Sequence, residues 1–221
     1  MLPVIKSAEE LAELVDEIGI LPAFRNNIPG FSVEECIAPE YWFPEKGEGF
    51  WEWKGPVIQK CGCAYGKLFS GRAGFMRLDL YREFANYRRD GYDFDARYDD
   101  GLARNKDKQA FDLFYEHPSM LSTEMSRQLP GDGRKGLSEV MNRLQMQCYV
   151  VISNFEYQIS KRGVPYGWGV TRYETPEYRF GAEFTDKIYA HSPEESYAIV
   201  SEHLKKILPN AEEKAIKKLI G

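Results

Sequence analysis

Apolar residues recur at helical spacing from the start of the chain. Leu11, Leu14, Val15 and Ile18 form one stripe behind Ser7 and Glu10, a capping-box pair three residues apart, and Gly19 and Pro22 end the helix they predict. Residues 22–63 lose this period. They are rich in Pro, Gly and aromatic residues and predict irregular structure with short strands. Within them, YWFPEKGEGFWEWKGP holds Trp42, Trp51 and Trp53. On a strand Trp51 and Trp53 would share a face and Lys54 would point the other way. The helical period returns after Leu78, where Leu80, Tyr81, Phe84 and Tyr87 form a stripe with Arg82, Arg88 and Arg89 off it. An acidic turn, RDGYDFDARYDDG, follows; Asp93 and Asp95 lack the glycine and the terminal glutamate of a calcium loop.

Beyond Leu102 the pattern is most informative. KDKQAFDLFYEHPSML places Ala110, Leu113 and Phe114 on one helical face and stops at Pro118. STEMSRQLPGDG starts at Ser122 and breaks at Pro130-Gly131, and RKGLSEVMNRLQMQ carries Leu137, Val140, Met141 and Leu144 at helical spacing. CYVVISNFEYQIS reads as a strand, KRGVPYGWG as a turn and VTRYETP as a second strand. Three short helices, none stable alone, followed by a hairpin are the order of a winged helix-turn-helix, with the third as recognition helix. Ser192-Pro193-Glu194-Glu195 then opens another capped helix with Tyr197, Val200, Leu204 and Ile207 on one face, and a last short helix follows Asn210. The expected fold class is α+β. An aromatic-rich α/β part spans 1–103, the winged helix-turn-helix 104–176, and helices packed back on the body 177–221.

Charge changes the picture more than composition does. The net charge of −5 argues against a general polyanion binder, but residues 1–50 carry net −7, whereas 54–89 carry +6 and 127–172 carry +4. Two basic stretches in an acidic chain can face an anionic ligand. Arg134, Lys135 and Arg143 lie on or before the third helix, Lys161 and Arg162 at the hairpin tip and Arg172 on its second strand. These are the candidate contacts to nucleic acid. Trp42, Trp51, Trp53, Lys54, Lys67 and Arg72 are the candidate lining of an aromatic, basic pocket, with a satellite core as the alternative.

Cys36, Cys61, Cys63 and Cys148 predict small buried residues rather than a disulfide framework or a zinc site, since Cys61-Gly62-Cys63 is not a CxxC pair. No cofactor or metal is expected. His117, His191 and His203 form no cluster, and no Gly-rich phosphate loop or GxSxG occurs. No run of about 18 apolar residues and no signal-peptide pattern appears, so a cytoplasmic protein without membrane contact is expected.

Two resemblances add to this reading. VMNRLQMQ and the apolar hairpin after it are similar to the glutamine-x-glutamine region of the AlkZ/YcaQ-type winged-helix DNA glycosylases. The longer pattern FWEWKGP, YGKLFSGRAGFMRLDLYREFANYRRDGYD and RLQMQCYVVISNF resembles the small bacterial proteins called AlkZ-related, over roughly residues 40–180. The glycosylase resemblance implies removal of alkylated bases or unhooking of crosslinks, with Gln145 and Gln147 as the amide pair that positions the hydrolytic water. Those enzymes are longer and stack several winged helices, where one is visible here. A neutral amide can only orient water, and two amides two residues apart share a face on a strand but not on a helix. The alternatives are a duplex-DNA-binding winged helix related to repair glycosylases, with or without catalysis; an active glycosylase; and a protein-interaction or small-ligand module on the same scaffold, with a protein partner.

Overall fold

The computed structural model describes residues 2–221, apart from the side chains of Asp132, Pro165 and Trp168. Ser7 accepts the Glu10 N–H and starts α1 (Ala8–Ile18), and Gly19 ends it at φ +75°, in the left-handed region where a side chain would be strained. The chain leaves directly as β1 (Ile20–Pro22), followed by α2 (Val33–Cys36) and a 3-10 turn at Pro39–Tyr41.

Residues 50–61 depart from expectation. They form a helix, α3 (Phe50–Cys61), not short strands. Phe50, Trp53 and Val57 sit at i, i+3 and i+7 and are buried, while Pro56 is exposed beside that face. Trp51 and Trp53 are therefore about 200° apart around the axis rather than on one face. Trp53 enters the core against Tyr41, with ring centroids 5.3 Å apart, and Trp51 stays half-buried.

β2 (Ala64–Phe69) and β3 (Arg72–Met76) complete a three-stranded antiparallel sheet of order β1-β3-β2. The register of β2 on β3 shifts between Gly66 and Phe69, so the ladder is interrupted at Lys67. α4 (Leu78–Arg89) follows with Leu80, Tyr81, Phe84 and Ala85 inward. Arg89 is not off this face. It is 2% exposed, one turn beyond Ala85 and two beyond Tyr81.

After α5 (Phe94–Asp99) comes α6 (Asn105–Glu116), then β4 (Ser119–Leu121), α7 (Ser122–Gln128), a single turn α8 (Gly131–Arg134), α9 (Leu137–Met146), and the hairpin β5 (Val151–Ile159) and β6 (Pro165–Glu174). β6 begins inside the segment expected to be all turn, and the reversal is confined to Ser160–Val164, whose ends are joined by the Ser160 N–H to the Val164 carbonyl. β4 pairs with β6, giving the order β4-β6-β5. Phe111, Phe114, Met125, Val140, Met141 and Leu144 form the core under these helices.

The root of the hairpin packs on the first sheet. Val151 and Ile152 enter the two cores on either side of it, and Phe155 meets Tyr65 edge-on at 6.0 Å. α10 (Pro176–Phe180), α11 (Ala182–Thr185), α12 (Pro193–Ile207) and α13 (Glu213–Ile220) return to the body, with Val200, Leu204, Ile216 and Leu219 in the same core as Phe84. Ser192 caps α12 with the reciprocal Glu195 bond expected of a capping box. The molecule is a mixed α+β protein with two small antiparallel sheets. Among the described residues no helix is long and apolar enough to cross a membrane.

Candidate nucleic-acid interface

The N-terminal ends of α6 and α9 lie side by side and frame a cleft of about 410 Å³. Arg104, Lys106, Lys135 and Arg143 line it against one carboxylate, Glu139. Gly136, at φ +86°, turns the chain from α8 into α9 at its floor, and Lys106 Nζ donates to the Lys135 carbonyl at 3.2 Å, so one lysine braces the turn that presents the other. Arg134 and Lys135 are exposed, as are Arg104 and Lys106. Lys135 and Arg143 are among the cations expected from the sequence, whereas Arg104 and Lys106 lie upstream of the basic stretch and become neighbours of Lys135 only through the packing of α6 on α9.

Not every predicted cation is free. Arg143 donates through Nε and Nη2 to both oxygens of Asp107, a buried carboxylate on α6. That hydrogen bond holds the Arg143 guanidinium above its ordinary range. Arg172 is paired with Glu156 across the hairpin and raised in the same way. Lys161 and Arg162 stand exposed at the hairpin tip.

Gln145 lies in the last turn of α9 and is 1% exposed. Its Nε2 donates to the Met141 carbonyl at 2.9 Å, and its Oε1 accepts the Lys67 N–H at 3.1 Å. This N–H is the one freed by the register shift in β2. Gly66 lets the amide in, because a Cβ there would stand 3.2 Å from Oε1. The side chain thus fastens α9 to the first sheet. Gln147 is the C-cap residue, in the turn after the helix (φ −88°, ψ 1°) rather than on a strand, and among the described residues its buried Oε1 has no partner. The two amides do not share a strand face. Gln145→Leu removes the acceptor of a part-buried N–H, so the unfolding free energy should fall by about 2 kcal/mol in a urea titration. An unchanged midpoint would contradict this.

The residues after Gln147 form a Schellman turn. The Cys148 N–H reaches the Gln145 carbonyl and the Tyr149 N–H the Leu144 carbonyl, with Cys148 at φ +62°. The Cys148 carbonyl accepts from Arg89 Nη2 at 2.8 Å and Nε at 3.3 Å, and Arg89 Nη1 meets Glu177 at 2.7 Å. Burial alone would lower the Arg89 guanidinium, but the Glu177 carboxylate together with the Tyr189 and Tyr81 phenols raises it. Burial pushes the Cys148 thiol up to about 11, and that of Cys36 likewise.

The expected aromatic, basic pocket is divided. Trp51 and Lys54 line one cavity of about 380 Å³ with Phe43, Phe155 and Tyr157. Trp42 stacks on Phe50 at 4.8 Å, and Trp53 is in the core. Arg72 lines a separate cavity of about 210 Å³ and donates to the Arg25 carbonyl, and Lys67 lines neither.

These features define a mixed α+β protein in which a helix-rich segment presents a basic cleft and a long hairpin. The chain belongs to the AlkZ-related family, whose pattern matches residues 5–221. This extends the resemblance read from residues 40–180 to nearly the whole chain and relates it to DNA-repair glycosylases. Comparison with the curated proteins and with the solved structures gives no significant match.

Proposed function

We propose that this protein binds duplex DNA through a winged helix-turn-helix at residues 104–176, flanked by the aromatic-rich part (1–103) and the C-terminal helices (177–221). The observation that carries the reading is the cleft where Arg104, Lys106 and Lys135 face one carboxylate, Glu139, while Arg143 is paired with Asp107. The pairing of β4, which lies between α6 and α7, with β6 of the hairpin after α9, in a three-stranded sheet of order β4-β6-β5, supports the winged-helix assignment. In this reading Arg104, Lys106, Arg134 and Lys135 contact phosphates beside the start of α9, and Lys161 and Arg162 reach the backbone from the wing.

Binding, rather than base removal by a glutamine pair, is the favoured activity. The Gln145 amide is engaged at both ends and only 1% exposed, so it lies in the core, away from where a hydrolytic water would meet a base. If Gln145 did position a water, Gln145→Leu would abolish release of a methylated base from duplex while leaving stability unchanged.

Arg143 gives a direct test. Asp107 competes with phosphate for it, so Asp107→Asn keeps a hydrogen-bonding side chain while removing the opposing charge. The variant should bind a labelled duplex roughly threefold more tightly at low salt in a fluorescence anisotropy titration. Weaker binding would count against a phosphate site at this cleft.

A further inference from the structure

Lys54 has no role in the interface described above, and its surroundings are unusual for a lysine. It rises from α3 into the cavity on one face of the hairpin, between β5, β6 and the aromatic segment before α3. Its Nζ lies 3.9 Å from the ring centroid of Phe155 and 4.8 Å from that of Trp51. Two ring faces flank it and favour the ammonium, against the burial that disfavours it; among the described residues no carboxylate forms an ion pair with it, and Glu52 acts on it only through space. Phe43 and Tyr157, both exposed at the cavity mouth, leave the nitrogen approachable by a ligand while keeping its walls apolar.

We propose that Lys54 is a nucleophilic amine that forms an imine with an aldehyde, the open-chain C1′ of an abasic deoxyribose in duplex DNA; this rests on the DNA-binding reading. The neutral amine attacks the carbonyl carbon as the C=O π pair moves to oxygen. A proton passes from nitrogen to that oxygen through solvent, and the carbinolamine loses water to leave C=N, so amine and aldehyde give imine and water. The site favours this chemistry by placing the nitrogen among the apolar walls of Phe43, Trp51, Phe155 and Tyr157, where a charge is poorly solvated. Burial, reinforced by Lys67 and opposed by Glu52, lowers the ammonium to about 8. About one lysine in eleven is then neutral at pH 7, against about one in three thousand for an ordinary lysine. The duplex source is favoured by position. Tyr157 is four residues before the tip residue Lys161, roughly 13 Å along the strand, and Phe43 and Tyr157 can stack on the bases that flank an abasic gap.

The full chain is incubated with a labelled duplex bearing one abasic site and sodium cyanoborohydride, and the covalent adduct is located by peptide mass mapping. The adduct should map to Lys54, and Lys54→Arg, which keeps the charge but stays protonated, should lower its yield at least about tenfold. Adducts spread over other lysines, or trapping undiminished in Lys54→Arg, would overturn the inference. Glyceraldehyde in place of the duplex separates the sources. Labelling of Lys54 by glyceraldehyde as fast as by the abasic duplex overturns the DNA assignment in favour of a small free aldehyde. Binding of undamaged duplex, measured on the same preparation, separates the two readings. Duplex binding without trapping at Lys54 overturns this inference alone, and absent duplex binding overturns the proposed function.

Discussion

Replacing Arg89 with methionine should lower the unfolding free energy by about 3 kcal/mol, the largest stability loss expected from any charged position of the chain. The guanidinium is 2% exposed and ties three elements together: the turn after α9 through the Cys148 carbonyl, α10 through Glu177, and the segment before α12 through Tyr189. It also lies against the rings of Tyr149 and Phe184, at 4.6 and 5.3 Å. Methionine keeps part of that packing but leaves the buried Cys148 carbonyl with only the 3.3 Å bond from Tyr81. Glu177 is 41% exposed and regains water, which keeps the loss at the lower end for a broken buried pair. The loss should appear as a shifted urea midpoint at unchanged slope. A shift under about 1 kcal/mol would mean that Arg89 is accommodated rather than structural.

Reversing the two exposed lysines of the cleft should produce the largest loss of function. Lys106→Glu with Lys135→Glu turns a lining of four cations and one carboxylate into two cations and three carboxylates. Both side chains are exposed, so the fold should be retained. Duplex affinity at low salt should fall by at least about tenfold, and the slope of log affinity on log salt should flatten by about two, one for each phosphate contact removed. The same reversal at Lys60, exposed on α3 away from this cleft, is the control and should change binding little. A loss in log affinity half as large from the single reversal at Lys60 would indicate a diffuse charge effect without a defined site.

The parts of the fold legible in sequence are those where local chemistry and tertiary packing ask for the same residues. The caps at Ser7 and Ser192, the stripe Leu137–Val140–Met141–Leu144 and the hairpin reversal near Gly163 are of this kind. α3 was missed because Gly49, Gly55 and Pro56 look like breakers. The apolar spacing of Phe50, Trp53 and Val57 was the available signal, and Pro56 is tolerated on the exposed side of the helix. Arg89 reads from sequence as off the apolar face because it is charged, although Tyr81, Ala85 and Arg89 fall on one face at intervals of four. Its buried position depends on Cys148 and Glu177, 59 and 88 residues away, which no local pattern reveals. The cleft was half legible for the same reason. Arg143 was chosen without Asp107, and Lys135 without Arg104 and Lys106, because these pairings arise only when α6 packs on α9.

The glutamine pair illustrates the limit most clearly. A strand at residues 145–147 would have put both amides on one face. The helix instead continues to Met146 and spends Gln145 on a backbone N–H that an irregular strand leaves unpaired.

Binding of a labelled undamaged duplex, followed by anisotropy from about 50 to 200 mM salt, tests the central claim most directly. The account predicts measurable affinity at the low end and a slope of log affinity on log salt between about −3.5 and −5.5, as expected for four to six phosphate contacts made by the cleft and the hairpin tip. No detectable binding at the lowest salt, or binding indifferent to salt, would contradict it.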